Sequence, residues 1–269
     1  MARLIALLAV TALIGAGQTT AVHFKTVSKT DIERRLSDFE GTNYKRELRL
    51  RSLFEEAGCT GDNLTEQRVT HTKVPNVICT LPGSTGSVIV VGAHFDFVDR
   101  GKGVVDNWSG CSLLPSLFES LKVVERRHTF VFVGFTNEEE GLVGSKFYVH
   151  QLSQEARQNI RAMVNLDSLG LSPTKMEADR ADTKLLDALS ATAASFNLPL
   201  SVVNVHKVGR SDSDSFQDLK VPAICIHSVT TETFPILHTA RDQMSAMHFD
   251  DYYNTYLLLR AYLAYLDEL

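Results

Sequence analysis

Four short apolar runs set the strongest limit on how this chain can fold. They are SVIVVGA (87–93), HTFVFVGFT (128–136), IRAMVNLDS (160–168) and PAICIH (222–227). Their apolar stretches are continuous rather than alternating, the pattern of strands covered on both faces. Between them lie segments with helical character: NWSGCSLLPSLFESLKVV (107–124), GLVGSKFYVHQL (141–152) and ADTKLLDALSATAASFN (181–197). Strands and helices in alternation predict an α/β fold, a single domain whose mostly parallel mixed β-sheet is flanked by helices on both faces. The 269 residues suit one such domain, and no linker, repeat or low-complexity tract follows residue 30.

The flanks fit the same plan. Segments 30–39 and 42–58 read as helices. In the second, Leu50, Leu53, Phe54 and Ala57 make an i, i+3, i+4, i+7 face, and Gly58 is its stop signal. TEQRVTH (65–71) and NVICTL (76–81) form an expected hairpin, LSVVNVH (200–206) a further strand, and 249–269 a long closing helix.

The N-terminus has one Arg before an apolar run from Leu4 to Gly17, then small residues. That run is short for a membrane span and has the form of a secretory leader, expected over 1–21 and cleaved near Gly17 or Ala21. Residues 22–269 are then the mature domain, secreted or periplasmic, with no stable membrane association after cleavage. Export permits disulfides. Of the four cysteines, Cys59 ends a helix and Cys79 lies in a strand, so a bridge is expected between them. Closing that loop of roughly 20 residues contributes about 3 kcal/mol in the chain-entropy model. Cys111 and Cys225 stand in apolar contexts and read as buried thiols. A formal charge of −5 with no Lys/Arg block argues against nucleic acid as a partner.

Acids collect where the strands end. SVIVVGA delivers His94 and Asp96, HTFVFVGFT delivers Glu138, Glu139 and Glu140, IRAMVNLDS delivers Asp167, and Asp106 follows in the loop after Asp96. Open α/β sheets bind ligands at the carboxyl ends of their strands. Carboxylates gathered there could not all ionise without a cation. Mixed oxygen and imidazole donors suit zinc, and so rich a set suits two zinc ions sharing a carboxylate.

Five stretches in order, GAHFDFVDRGKGVVDNWSG, FTNEEEGLVGSKFYV, VNLDSLG, SDSDSF and LHTARD, resemble the zinc aminopeptidases of peptidase family M28. The resemblance runs from about residue 75 to 245. It implies a zinc-dependent exopeptidase fold and a peptide substrate. By position, His94, Asp106 and Asp167 would hold one zinc, and Asp106, Glu139 and His238 the other. Asp96 would stand behind His94 and fix its tautomer. Glu138 falls at the general-base position, where it would take a proton from water and hand it to the leaving amine. Gly101 and Gly103 would let the loop fold Asp106 back between the ions.

Two departures bear on specificity. Ser213 stands in SDSDSF where the family usually has His, in a loop that Lys207 and Arg210 precede. Leu237 stands before the last His where some members place a Tyr that stabilises the tetrahedral intermediate, so the zincs must carry more of that load or another donor must supply it. The resemblance extends to single-zinc glutaminyl cyclases and to carboxypeptidases, which stay as alternatives to the aminopeptidase; a non-catalytic zinc-binding protein stands last. Other polar residues read as structural: His227 as a satisfied structural His in preference to one that faces the cleft, His248 as a surface or capping residue, and Asn107 as a sequon too close to Asp106 to be accessible. Trp108 reads equally as pocket wall or core.

Overall fold

The computed structural model describes residues 10–14, 18–39, 41–203 and 209–269. Its strands are β1 (Val10–Ile14), β2 (Gln18–Val22), β3 (Leu64–Gln67), β4 (Asn76–Leu81), β5 (Val88–His94), β6 (Thr129–Phe135), β7 (Ile160–Leu166), β8 (Lys175–Glu177), β9 (Ser201–Val203) and β10 (Ala223–His227). Its helices are α1 (Lys29–Ser37), α2 (Asn43–Ala57), α3 (Ser109–Leu121), α4 (Val143–Gln151), α5 (Gln154–Gln158), α6 (Thr183–Phe196), α7 (Asp212–Gln217) and α8 (Phe249–Glu268).

Eight strands form one mixed sheet in the order β3-β4-β6-β5-β7-β10-β8-β9. Its centre is parallel: β5 pairs with β6 and β7, and β7 with β10. Antiparallel pairs join β3 to β4, β4 to β6 and β10 to β8. The central strands carry the apolar runs read above, and their inner positions are buried. The hairpin of β3 and β4 is shorter than its sequence suggested, because pairing ends at Gln67 opposite Asn76. The strand expected over 200–206 is described as far as Val203. At the other end, β1 and β2 pair antiparallel within the segment expected as a leader, of which 1–9 and 15–17 lie outside the described residues. Val22 and Phe24, just beyond the expected cleavage sites, are buried in the main core.

Helix α2 buries Leu50, Leu53, Phe54 and Ala57, and Gly58 ends it in the left-handed conformation at φ 93°. At roughly 1.5–3 kcal/mol for each large apolar side chain, that face anchors the helix. Helix α8 packs on α3 through tyrosines whose hydroxyls keep partners: Tyr252 donates to the Ser109 carbonyl at 2.8 Å, and Tyr256 accepts the Val27 N–H at 2.7 Å. Cys59 and Cys79 are joined in a disulfide, and Cys111 and Cys225 are free thiols. Trp108 belongs to this core, fully buried with its indole N–H on the Arg35 carbonyl at 3.3 Å, so it is no pocket wall. Among the described residues no helix is long and apolar enough to cross a membrane.

Candidate active site

The parallel strands β5, β6 and β7 end side by side, and their register decides what meets there. His94 is the last residue of β5 and pairs with Phe135 at the end of β6. The chain after β6 turns through Asn137 at φ 52° and Gly141 at φ 103°. This turn displays Glu138 and Glu139 next to Asp96, whose two carboxylate oxygens accept their backbone N–H groups at 3.0 and 3.1 Å. Asp96 therefore does more than the sequence suggested. Its Oδ1 lies 3.5 Å from Nδ1 of His94, and its own carbonyl is nearer at 3.2 Å. One acid thus holds the imidazole from behind and fixes the turn that carries both glutamates.

Asp106 arrives by a loop with two glycine requirements. Gly103 has φ 50°, and a Cβ at Gly101 would meet the Thr239 carbonyl oxygen at 2.3 Å. The Asp242 carboxylate accepts the N–H groups of Val105 and Asp106 at 2.7 and 3.1 Å, while the Asp242 carbonyl accepts Lys102 N–H at 2.9 Å. Beneath the loop the buried Arg46 guanidinium donates to the carbonyls of Phe95 and Lys102 and lies over the Phe97 ring. Asn107, fully buried, donates to the Leu166 carbonyl and accepts from the N–H groups of Gly110 and Ser168, so its sequon is inaccessible.

These elements bring together the five residues picked from the sequence as zinc ligands. Nε2 of His94 lies 3.2 Å from Oδ1 of Asp106 and 3.8 Å from Oδ1 of Asp167. Nε2 of His238 lies 3.0 Å from Oδ2 of Asp106 and 3.1 Å from Oε2 of Glu139. The two oxygens of Asp106 thus face opposite ways, one toward each His. Glu138 joins from the first side: His94, Glu138 and Asp167 offer donor atoms all within 4.8 Å of one another, as do His94, Asp106 and Glu139.

The electrostatics of the chain alone are unbalanced. Burial pushes the Glu138 carboxyl up to about 9; His94 opposes this, and Asp212, Asp167 and Asp106 add to it. Burial likewise raises Glu139. Hydrogen bonds to Asp106 and Glu139 push His238 up to about 10. Burial works against charge on His94, yet the acids around it hold its pKa well above the usual value. Asp106 is held low despite its burial by its bonds to both histidines. Oε1 of Glu139 is buried with no hydrogen-bond partner among the described residues. A donor set of two imidazoles and several acids, with an orphaned carboxylate oxygen inside it, has the chemistry of a zinc site.

The cleft beside this cluster has an apolar wall that includes Val229, Phe234, Pro235 and Leu237 and a polar side with Arg180, Arg210, Ser211 and Glu177. Cys225 and His227 also line it, where the sequence favoured a buried thiol and, over a cleft-facing position, a satisfied structural His. Burial lowers the His227 imidazole to about 4. Ser213 is buried, its hydroxyl 2.8 Å from that of Ser211, and Lys207 lies outside the described residues. Glu140 is exposed. His248 caps α8 by position alone, since its side chain makes no capping bond.

Two acids escaped the sequence reading. Asp212, fully buried, has no hydrogen-bond partner for either carboxylate oxygen among the described residues. Burial pushes it up to about 7 against the pull of His94 and of the nearby Ser145 hydroxyl, with Asp96 and Asp167 adding to the rise. Asp242 holds the Asp106 loop. Both lie inside quoted motifs, SDSDSF and LHTARD, and that placement was the only available signal.

Residues 76–263 match the model of peptidase family M28. The chain is 36% identical over 96 residues to leucine aminopeptidase 2 of Trichophyton rubrum, covering 35% of this chain and 19% of that protein. To leucine aminopeptidase 1 of Metarhizium robertsii it is 28% identical over 258 residues, covering 82% of this chain and 64% of the relative. The chain thus spans about a fifth of the leucine aminopeptidase 2 relatives and under two thirds of the other. Its fold is similar to the LapA aminopeptidase of Legionella pneumophila, with TM-score 0.81 at 22% identity, covering 90% of this chain and 73% of that one. It is also similar to the glutaminyl cyclase of Macrostomum lignano, with TM-score 0.73 at 16% identity and 90% of each chain covered. With the family model spanning most of its length, including every strand of the large sheet except β3 and all the residues of the site, the chain belongs to peptidase family M28.

Proposed function

We propose that this protein is a zinc-dependent aminopeptidase that hydrolyses N-terminal residues from peptides. The observation that carries the reading is the split carboxylate of Asp106, with one oxygen toward His94 and the other toward His238. His94, Asp106 and Asp167 would hold one zinc, and Asp106, Glu139 and His238 a second. Bound there, the ions supply Lewis-acid polarisation of the scissile carbonyl and a water of lowered pKa.

The chain's own residues do the rest. Glu138, half-buried at the edge of the cluster, takes the proton from the attacking water and delivers it to the leaving nitrogen. Asp96 keeps Glu138 in reach by gripping its backbone N–H. Asp96 and the Asp242 clasp hold the ligands in place before substrate arrives, so little reorganisation remains for the reaction itself. The free α-amine of a substrate is a cation, and the acids Glu138 and Asp167 give it a complementary wall. The apolar side formed by Val229, Phe234 and Leu237 would receive the first side chain. We extend the proposal to export, with residues 1–21 as a cleaved leader and 22–269 as the catalytic domain.

The test joins a metal count on purified protein to product analysis of three substrates. We expect close to two zincs per chain, release of aniline from a leucyl anilide, and no turnover of its N-acetyl form. A glutaminyl peptide should be shortened. Loss of ammonia from that peptide without shortening would instead establish a cyclase, and cleavage of the acetylated peptide from its C-terminus a carboxypeptidase.

A further inference from the structure

One polar side chain on the cleft wall has no part in the arrangement above. His227 ends β10, and the register that pairs Ile226 with Leu166 carries on to set it beside Asp167, whose N–H donates to the Ile226 carbonyl at 3.0 Å. Paired residues on adjacent strands face the same side of a sheet, so His227 is presented toward the face on which Asp167 meets the cluster. Nδ1 of His227 accepts the backbone N–H of Val229 at 3.1 Å. That bond leaves the neutral ring with its proton on Nε2. Among the described residues Val229 is the only hydrogen-bond partner of this imidazole, which lines the cleft.

We propose that His227 determines specificity: its Nε2–H donates to the side-chain carbonyl of the substrate's N-terminal residue, so the cleft favours glutaminyl and asparaginyl residues over apolar ones of the same length. This deepens the aminopeptidase reading and rests on it. The alternatives fail for separate reasons. A carboxylate side chain offers the acceptor but must shed the strong hydration of an ion to lie against a largely apolar wall. An ammonium or guanidinium brings only donors to a donor. An apolar side chain strips water from Nε2–H and returns no acceptor, and a site built to hydrogen-bond discriminates strongly against such a ligand. A carboxamide is uncharged, matches the length of the apolar competitors and carries the acceptor. The same side chain thus gives the cleft a polar point within an otherwise apolar wall.

The experiment compares kcat/KM of the full-length, zinc-loaded protein on matched anilides, glutaminyl against norleucyl and asparaginyl against leucyl. The wild type should prefer the carboxamide of each pair by about tenfold or more. His227→Leu should bring both ratios to one or below with unchanged metal content, and His227→Gln, which keeps a donor, should retain part of the preference. Wild-type ratios at or below one overturn the assignment without any variant. Ratios that survive His227→Leu overturn it as well. Failure to hydrolyse any of the four anilides, or release of ammonia with no aniline, overturns the aminopeptidase reading and this assignment with it. Hydrolysis with the wrong ratio overturns this assignment alone.

Discussion

The same strands end in two very different electrostatic settings. At their carboxyl ends, Asp106, Glu138, Glu139, Asp167 and Asp212 crowd around His94 and His238, and buried carboxylate oxygens stand without partners. Four non-glycine residues there, Asn137, Leu142, Ser168 and His238, hold positive φ between 52° and 62°, a conformation that costs energy and tends to mark functional sites. At the amino ends, a groove of about 810 Å³ is lined by Arg127, Arg157, Arg161, Lys184 and Lys220. Those cations are solvated, and the acid among them, Asp182, is spent on capping α6 at the N–H groups of Lys184 and Leu185. One edge therefore stores unbalanced charge in a partly buried setting, while the other leaves its charge to water. Water screens the second edge and makes it nearly neutral to stability; the acids of the first must take up either protons or a cation.

The largest effects should fall on the carboxyl edge. Asp106→Ala should abolish turnover and most metal binding, since one residue serves both proposed sites; elemental analysis finding a full complement would break the bridging role. Glu138→Gln should keep its metal and lose about 10²- to 10⁴-fold in turnover, the span of a positioned base. Equal metal loss from Glu138→Gln and Glu139→Gln would show that the two glutamates are not divided as proposed.

Next comes metal removal. Zinc at a thousandfold its dissociation constant stabilises the fold by about 4 kcal/mol. Chelation should therefore lower the thermal midpoint by about 10 °C for a domain of this size. A calorimetric scan with no shift would mean that the acids at this edge are satisfied without a cation.

A smaller effect is expected one layer back. Asp242→Asn retains one carbonyl acceptor where two carboxylate oxygens now hold Val105 and Asp106. It should weaken zinc affinity about 10- to 100-fold, with modest change in the metal-saturated kcat. The smallest effect belongs to the other edge. The double variant Arg157→Gln, Arg161→Gln should shift stability by less than about 0.5 kcal/mol and leave turnover unchanged. A large loss there would erase the contrast between the two ends.

The central sheet was legible because its strands are continuous apolar runs, a pattern that burial on both faces imposes directly. Of the proposed zinc ligands, His94, Glu139 and Asp167 stand out in the sequence because each sits where such a run stops, whereas Asp106 lies in the loop that follows and His238 came only from the family resemblance. Short elements were not. Helix α7 has six residues and opens on Ser211, Asp212 and Ser213, a composition typical of turns, and β8 has three residues supported only by its neighbours. The roles of Asp242 and His227 depend on hydrogen bonds to backbone groups distant in sequence or hidden in a loop, which no residue pattern encodes. Cys225 misled for a related reason: an apolar neighbourhood in sequence says nothing about which side of a strand opens on a cleft.

The clasp between the two loops that carry Asp106 and His238 has a consequence for the order of assembly. Asp242 grips backbone groups more than 130 positions earlier in the chain, and Gly101 lies against the Thr239 carbonyl. The oxygen of Asp106 that faces His238 is therefore set by a segment synthesised long after the strand that presents His94. A nascent chain that ends just before residue 242 would carry all five proposed ligands and still lack the clasp that sets Asp106 between the two histidines. The proposed competence to cut peptides would thus arrive in one late step, when the fold closes, rather than by gradual improvement of a half-built site.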